Sequence, residues 1–123
     1  EGSKDVSIWI SVLENGKWSD AKCVADGIQN DSTRFACWNP VLFKNKQGNL
    51  YLFYKVGPNP REWWGEMKIS TNDGSNWSNA INLPEGFLGP IKNKPIHINP
   101  SKCVGAITKI PINGRKYQFG ATP

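Results

Sequence analysis

The sequence predicts an all-β fold made of β-propeller blades, each with four antiparallel strands. Three observations carry that reading. The apolar segments are β-branched or aromatic, and none keeps a 3.6-residue period for three turns, so no substantial helix is expected. Twelve Gly and nine Pro make 21 of the 123 residues chain breakers, which suits many short elements joined by tight turns. One motif also recurs. Ile10-Ser11, Trp18-Ser19-Asp20-Ala21 and Gly27 return, in the same order and at one constant offset, as Ile69-Ser70, Trp77-Ser78-Asn79-Ala80 and Gly86. Repeats of a few tens of residues, each long enough for four strands, mark propeller blades.

The elements follow in order. Val6–Leu13 alternates Ser with β-branched and aromatic residues, and Asn15-Gly16 after it is a hairpin turn. Lys17–Val24 is the return strand. Cys37–Lys44 and Leu50–Val56 form a second hairpin around Asn45-Lys46-Gln47-Gly48, and Glu66–Ser70 and Trp77–Asn82 flank a turn at Asp73-Gly74. Cys103–Ile110 and Lys116–Phe119 are expected as a last pair around Asn113-Gly114. A weaker echo, at a slightly smaller offset, sets Asn39-Pro40-Val41-Leu42-Phe43 against Lys94-Pro95-Ile96-His97-Ile98. The repeat therefore divides the chain into the end of one blade (1–24), a complete blade (37–82) and the start of a third (94–123).

Composition narrows the partners. The net charge is +5, and residues 86–123 hold Lys92, Lys94, Lys102, Lys109, Arg115 and Lys116 with no acid at all. That stretch is either a solvated basic edge or a surface for an anionic partner. There is no Arg-rich block and no RNA-binding aromatic signature, so nucleic acid is not expected. No run of 18 apolar residues exists, so no membrane span is expected. Cys23, Cys37 and Cys103 form no CxxC, and His97 is the single histidine, so neither a metal nor another cofactor is expected. The thiols read as small buried residues, with a Cys23–Cys37 disulfide as the alternative in an oxidising compartment.

Ser70-Thr71-Asn72-Asp73-Gly74-Ser75-Asn76-Trp77 resembles the Asp-box, S-x-D-x-G-x-x-W, of the sialidase superfamily of β-propellers, with Asn at the first Asp position. Ser11, Gly16 and Trp18 look like a degenerate copy. Trp38-Asn39-Pro40-Val41-Leu42-Phe43, Gln47–Tyr54 and Leu88–Pro95 resemble the early blades of the same proteins, so the likeness covers roughly residues 1–98. The box is structural: its side chains hold a tight turn, and its Trp packs into the blade. Trp38 and Trp18 are expected in the blade core as well, and His97 as a strand residue.

Such a fold implies two rims. The Asn15-Gly16, Asn45–Gly48 and Asp-box turns fall on one face of the disc. Glu1–Asp5, Ala25–Ala36, Gly57–Trp64, Pro84–Asn93 and Pro111–Arg115 fall on the other. The second set holds Arg34, Arg61, Trp63, Trp64 and Lys92, cations and aromatics that suit the carboxylate and the apolar face of an acidic sugar. Arg61 and Arg34 lead as ligand candidates.

The resemblance also implies chemistry. Sialidases bind the substrate carboxylate with three arginines, use a Tyr nucleophile paired with a Glu, and use an Asp as acid/base. Asp5 looks like that Asp. The Arg of an Arg-Ile/Leu-Pro motif is missing, and none of Tyr51, Tyr54 and Tyr117 sits at the nucleophile's place.

Two functions are therefore expected. One is a carbohydrate-active segment that binds an acidic oligosaccharide or glycoconjugate and, in its complete form, would cleave it as a glycosidase or uronate-glycan lyase. The other is a non-catalytic lectin assembled from several copies. Either is expected to be secreted or periplasmic. Unpaired blade edges would also let copies associate, and two blade-equivalents per chain make three copies a six-bladed ring.

Overall fold

The computed structural model describes residues 3–99, 102–109 and 120–122. Glu1, the Pro111–Arg115 loop with its Asn113-Gly114 turn, the Lys116–Phe119 strand and Tyr117 lie outside the described residues, as do the side chains of Lys102, Cys103 and Lys109.

The first sheet pairs β1 (Ile8–Ile10) with β4 (Lys22–Ala25), and β2 (Leu13–Glu14) with β3 (Lys17–Trp18) forms its tip. Asn15 and Gly16 join β2 to β3 at φ of 51° and 75°. Two consecutive left-handed residues are what a type I′ turn requires, and Asn-Gly supplies them at least cost. A small hairpin follows, β5 (Ile28–Asn30) with β6 (Thr33–Arg34), which the strand pattern does not announce. Gly27 precedes it at φ 72°, where a Cβ would stand 1.8 Å from the Phe35 carbonyl oxygen.

The second sheet is the four-stranded meander that the repeat predicts. β7 (Cys37–Lys44), β8 (Leu50–Val56), β9 (Trp64–Ser70) and β10 (Ile81–Asn82) lie side by side in chain order. Asn45 closes the β7–β8 turn by accepting the Asn49 N–H on its side chain at 2.8 Å. A single 3-10 turn, Pro60–Glu62, bridges β8 and β9, and Asn59 caps it by accepting the Arg61 N–H. The third sheet is built from β11 (Phe87–Gly89), β12 (Ile96–Asn99), β13 (Lys102–Lys109) and β14 (Gly120–Thr122), with β13 pairing all three of the others. The all-β reading holds, and among the described residues no helix is long and apolar enough to cross a membrane.

Period-two alternation sorts the second sheet into two buried faces. Leu52, Tyr54 and Val56 of β8 and Trp64 of β9 pack with Cys37 against Ile8, Val24 and Ala25 of the first sheet. Each fully buried aliphatic chain here contributes about 1.5–3 kcal/mol. The other face meets the third sheet. Phe43 lies 5.1 Å from the His97 ring, and Gly65 lets β11 approach so closely that a Cβ would meet the Phe87 and Leu88 carbonyls at 2.8 Å. His97 accordingly sits in β12 and also contacts the Lys44 carbonyl.

Two core expectations are corrected. Trp18 is 69% exposed, because it stands at the tip of the β2–β3 hairpin, beyond the reach of the second sheet. Cys23 is an exposed free thiol, because it lies opposite Trp9 on the uncovered face of the first sheet. Cys37 is free and buried, and burial, helped by the Glu66 carboxylate, pushes its thiol up to about 12.

The constant offset of the repeat is not the structural equivalence on the outgoing strand. Ser19 and Ser78 close their hairpins in the same way: each donates its backbone N–H and accepts one on Oγ. The partners are Val12 and Ile69, which lie closer together along the chain than Ser19 and Ser78 do. Leu13, not Ser11, therefore stands where Ser70 stands. The first hairpin is correspondingly shorter, and an Asn-Gly turn replaces the box.

Candidate functional site

The box itself is complete around Ser70. The hydroxyl donates to Asn72 Oδ1 at 3.0 Å and accepts the Gly74 N–H at 2.9 Å, while Asn72 Oδ1 accepts the Asn76 N–H at 2.9 Å. Asn72 thus accepts where an Asp would. Asp73 and Gly74 take φ of 56° and 86°, and the Trp77 ring packs against the core. Lys44 reaches Asp73 at 2.9 Å and Lys22 reaches the Ser75 carbonyl at 3.0 Å, so the box turn is tied to its neighbours.

A family model described as a BNR repeat-like domain matches residues 1–115. The chain belongs to the BNR repeat-like family. No curated protein and no solved structure matches it.

In this BNR repeat-like chain the expected site residues fall into two groups. Asp5 and Arg34 come together. The Arg34 guanidinium donates to the Asp26 carbonyl at 2.9 Å, to the Asp5 carbonyl at 3.1 Å and to Ser7 Oγ at 2.8 Å. It pins the β5–β6 hairpin to the strand entry at Asp5–Ser7. The Asp5 carboxyl is exposed and accepts from the Ser3 hydroxyl, and that bond, aided by the Arg34 charge, holds it below the usual carboxylate range. Asp5 is therefore ionised at neutral pH, as a base or an electrostatic partner would be.

The second group sits on the 57–63 loop. Arg61 projects from the 3-10 turn, exposed, and its guanidinium has no hydrogen bond or ion pair among the described residues. Trp63 lies 5.3 Å from Trp38, ring centre to ring centre, and the Trp38 indole donates to the Gly57 carbonyl at 2.9 Å. The Trp63 indole nitrogen is buried without a partner among the described residues. Lys92 is exposed on the 84–95 segment. That segment is held from below by Lys55, whose ammonium donates to the Pro90 carbonyl.

Trp64, by contrast, is the first residue of β9. Its indole donates to Glu66 Oε1 at 2.8 Å, and its ring packs edge-on against Phe35 at 5.5 Å. It belongs to the packed boundary between the first two sheets.

The sequence reading missed Ser7, Trp9 and Asn39. With Trp38 they line an open cleft of about 280 Å³ between the strand entry at Val6–Trp9 and the start of β7 at Cys37–Pro40. Asn39 stands at φ 46° where the β7–β8 register slips between Trp38 and Val41. A non-glycine residue in that region inside a strand is a bulge signal, and a bulge bends its own strand and re-aims side chains. Asn-Pro within an otherwise apolar strand was the available clue.

Proposed function

We propose that this BNR repeat-like chain is a carbohydrate-active segment. It binds an acidic glycan on the rim formed by loops 3–5, 25–36, 57–63 and 84–95, and in its complete form the domain would cleave that glycan. The observation that carries this reading is Arg61, a guanidinium without a partner among the described residues, on the same short loop as the Trp63–Trp38 ring pair. A guanidinium recognises a carboxylate through two parallel N–H donors, and an indole face covers the apolar side of a pyranose. Arg34 is already bonded to two carbonyls and a hydroxyl, so it supports the rim rather than the ligand.

The test is calorimetric titration with sialic-acid and uronic-acid oligosaccharides against a neutral control. The acidic sugars bind, Arg61→Ala weakens them at least tenfold, and Arg34→Ala lowers the melting temperature instead. Absence of binding, or binding untouched by Arg61→Ala, overturns the proposal.

One observation favours the lectin reading for the chain by itself. Tyr54, the tyrosine that faces a glutamate, is only 1% exposed and cannot reach a sugar. Retained binding by Asp5→Asn with no turnover of any acidic substrate supports the lectin. Turnover that Asp5→Asn abolishes supports the hydrolase or lyase.

A further inference from the structure

We propose that Lys55 is a positioning residue: its buried ammonium fixes the 84–95 segment, and with it Lys92, beside the loop that carries Arg61. The site is the one assigned above to an acidic glycan, and the proposal rests on that reading. Lys55 itself touches no sugar.

Lys55 belongs to the row of the second sheet that joins the two loops. Across β7 and β8 it stands opposite Trp38, and across β8 and β9 opposite Gly65. Residues directly opposite each other share one face of a sheet. The Trp38 ring lies 5.3 Å from that of Trp63, and its indole donates to the Gly57 carbonyl, so this row anchors both ends of the 57–63 loop. At the other end of the row, a Cβ on Gly65 would meet the Phe87 and Leu88 carbonyls at 2.8 Å. β11 therefore lies directly over the same face. The chain then turns at Gly89, where φ is 73° and a Cβ would meet Leu83 Cδ1 at 2.8 Å. Pro90 follows, and its carbonyl accepts from the Lys55 ammonium. Two residues further on stands Lys92, exposed, the cation that this segment brings to the rim.

Stability does not account for a lysine at this place. Its side chain is 0% exposed. No carboxylate is bonded to it among the described residues, and residues 86–123, which supply the third sheet, hold no Asp or Glu. An ammonium buried with only a carbonyl for a partner loses more in hydration than one hydrogen bond returns. Methionine would fill the same space without that cost. Side chains that burden a fold in this way are kept where a site requires them. The ammonium supplies what methionine cannot, a directed bond to the carbonyl at the root of the Lys92 turn.

Lys55→Met in the full chain tests this with two measurements. By hydrogen exchange, which needs no sugar, amides 91–94 are expected to exchange faster in the variant, although its melting temperature at pH 7 rises. By calorimetric titration with uronic-acid and sialic-acid oligosaccharides, the variant is expected to bind about tenfold more weakly, because the site is no longer preorganised. Lys92→Ala and the double variant complete a cycle. Since Lys55 acts through Lys92, the double variant is expected to bind no more weakly than the weaker single one. A wild type that binds none of these sugars overturns the glycan reading and this proposal with it. If the wild type binds, a variant that binds equally well, or whose amides 91–94 exchange at the wild-type rate, overturns this proposal alone. Losses that add across the cycle overturn it as well. So does a Lys55→Met chain without a cooperative melt, because the fold itself would then need the lysine.

Discussion

Tyr54 and Glu66 face each other across β8 and β9, and the phenol donates to Glu66 Oε2 at 2.8 Å while the Trp64 indole serves Oε1 at the same distance. Both residues are buried, at the boundary between the first and second sheets. Burial, reinforced by the Glu66 charge, pushes the phenol well above its ordinary range, so it remains a donor at every working pH. Removing the hydroxyl with Tyr54→Phe leaves a buried carboxylate short of one donor. The expected loss is about 1.5–3 kcal/mol by urea denaturation. Glu66→Gln, which keeps an acceptor, is expected to cost less than Tyr54→Phe.

Lys55 is fully buried and its ammonium donates to the Pro90 carbonyl, with no carboxylate bonded to it among the described residues. Desolvation lowers it from 10.5 to about 8. Between those values the folded chain holds fewer protons than the unfolded one, so stability rises with pH through that window. Below pH 8 the cost of the charge is fully present, on the order of 3 kcal/mol. Lys55→Met is expected to raise stability at pH 7 and to flatten the rise between pH 8 and 10. A variant whose pH profile matches the wild type would refute this account.

Gly27 and Gly16 both take positive φ, yet alanine should tell them apart. At Gly27 the new Cβ would meet the Phe35 carbonyl oxygen at 1.8 Å, whereas at Gly16 nothing lies within 4 Å. Gly16→Ala is expected to cost only the left-handed penalty, about 1–2 kcal/mol. Gly27→Ala is expected to prevent the β5–β6 hairpin from docking, seen as loss of the cooperative melt.

Asn72 accepts from the Ser70 hydroxyl and the Asn76 N–H through Oδ1 alone. A carboxylate accepts the same bonds more strongly. Asn72→Asp is therefore expected to stabilise the chain by about 0.5–1 kcal/mol at pH 7, a gain lost as the carboxyl is protonated in acid. Thermal melts at pH 7 and pH 3 check both halves.

The β7–β8 hairpin and the Asp-box were legible in the residues, because their determinants are local. Asn45 and Asn72 hydrogen-bond within four residues of themselves, and Asn15-Gly16 and Asp73-Gly74 meet the left-handed φ their turns demand. The limits of β7 and β8 match the apolar runs residue for residue. β9 begins two residues earlier than its apolar run, because the Trp64 indole is drawn in by Glu66 and Phe35. Of the candidate site, the loop positions of Arg34 and Arg61 were legible, and which of the two is already bonded was not. Arg34 and Arg61 read alike as loop arginines, and only the distant carbonyls of Asp5 and Asp26 show that one is already bound.

By itself the sequence determined the all-β class, the Asn15-Gly16 and Asp73-Gly74 turns, the strands β7 and β8 and the membership of the BNR repeat-like family. Each depends on periodicity or on bonds between near neighbours. The tertiary structure alone decided which faces are covered. Lys55 lies buried under Pro90, and Glu66 lies between Tyr54 and Trp64. Trp18 and Cys23, which read as core residues, are exposed because no sheet among the described residues reaches them. Burial is set by what packs against a strand from elsewhere in the chain, and a strand's own period-two pattern states only that it has two faces.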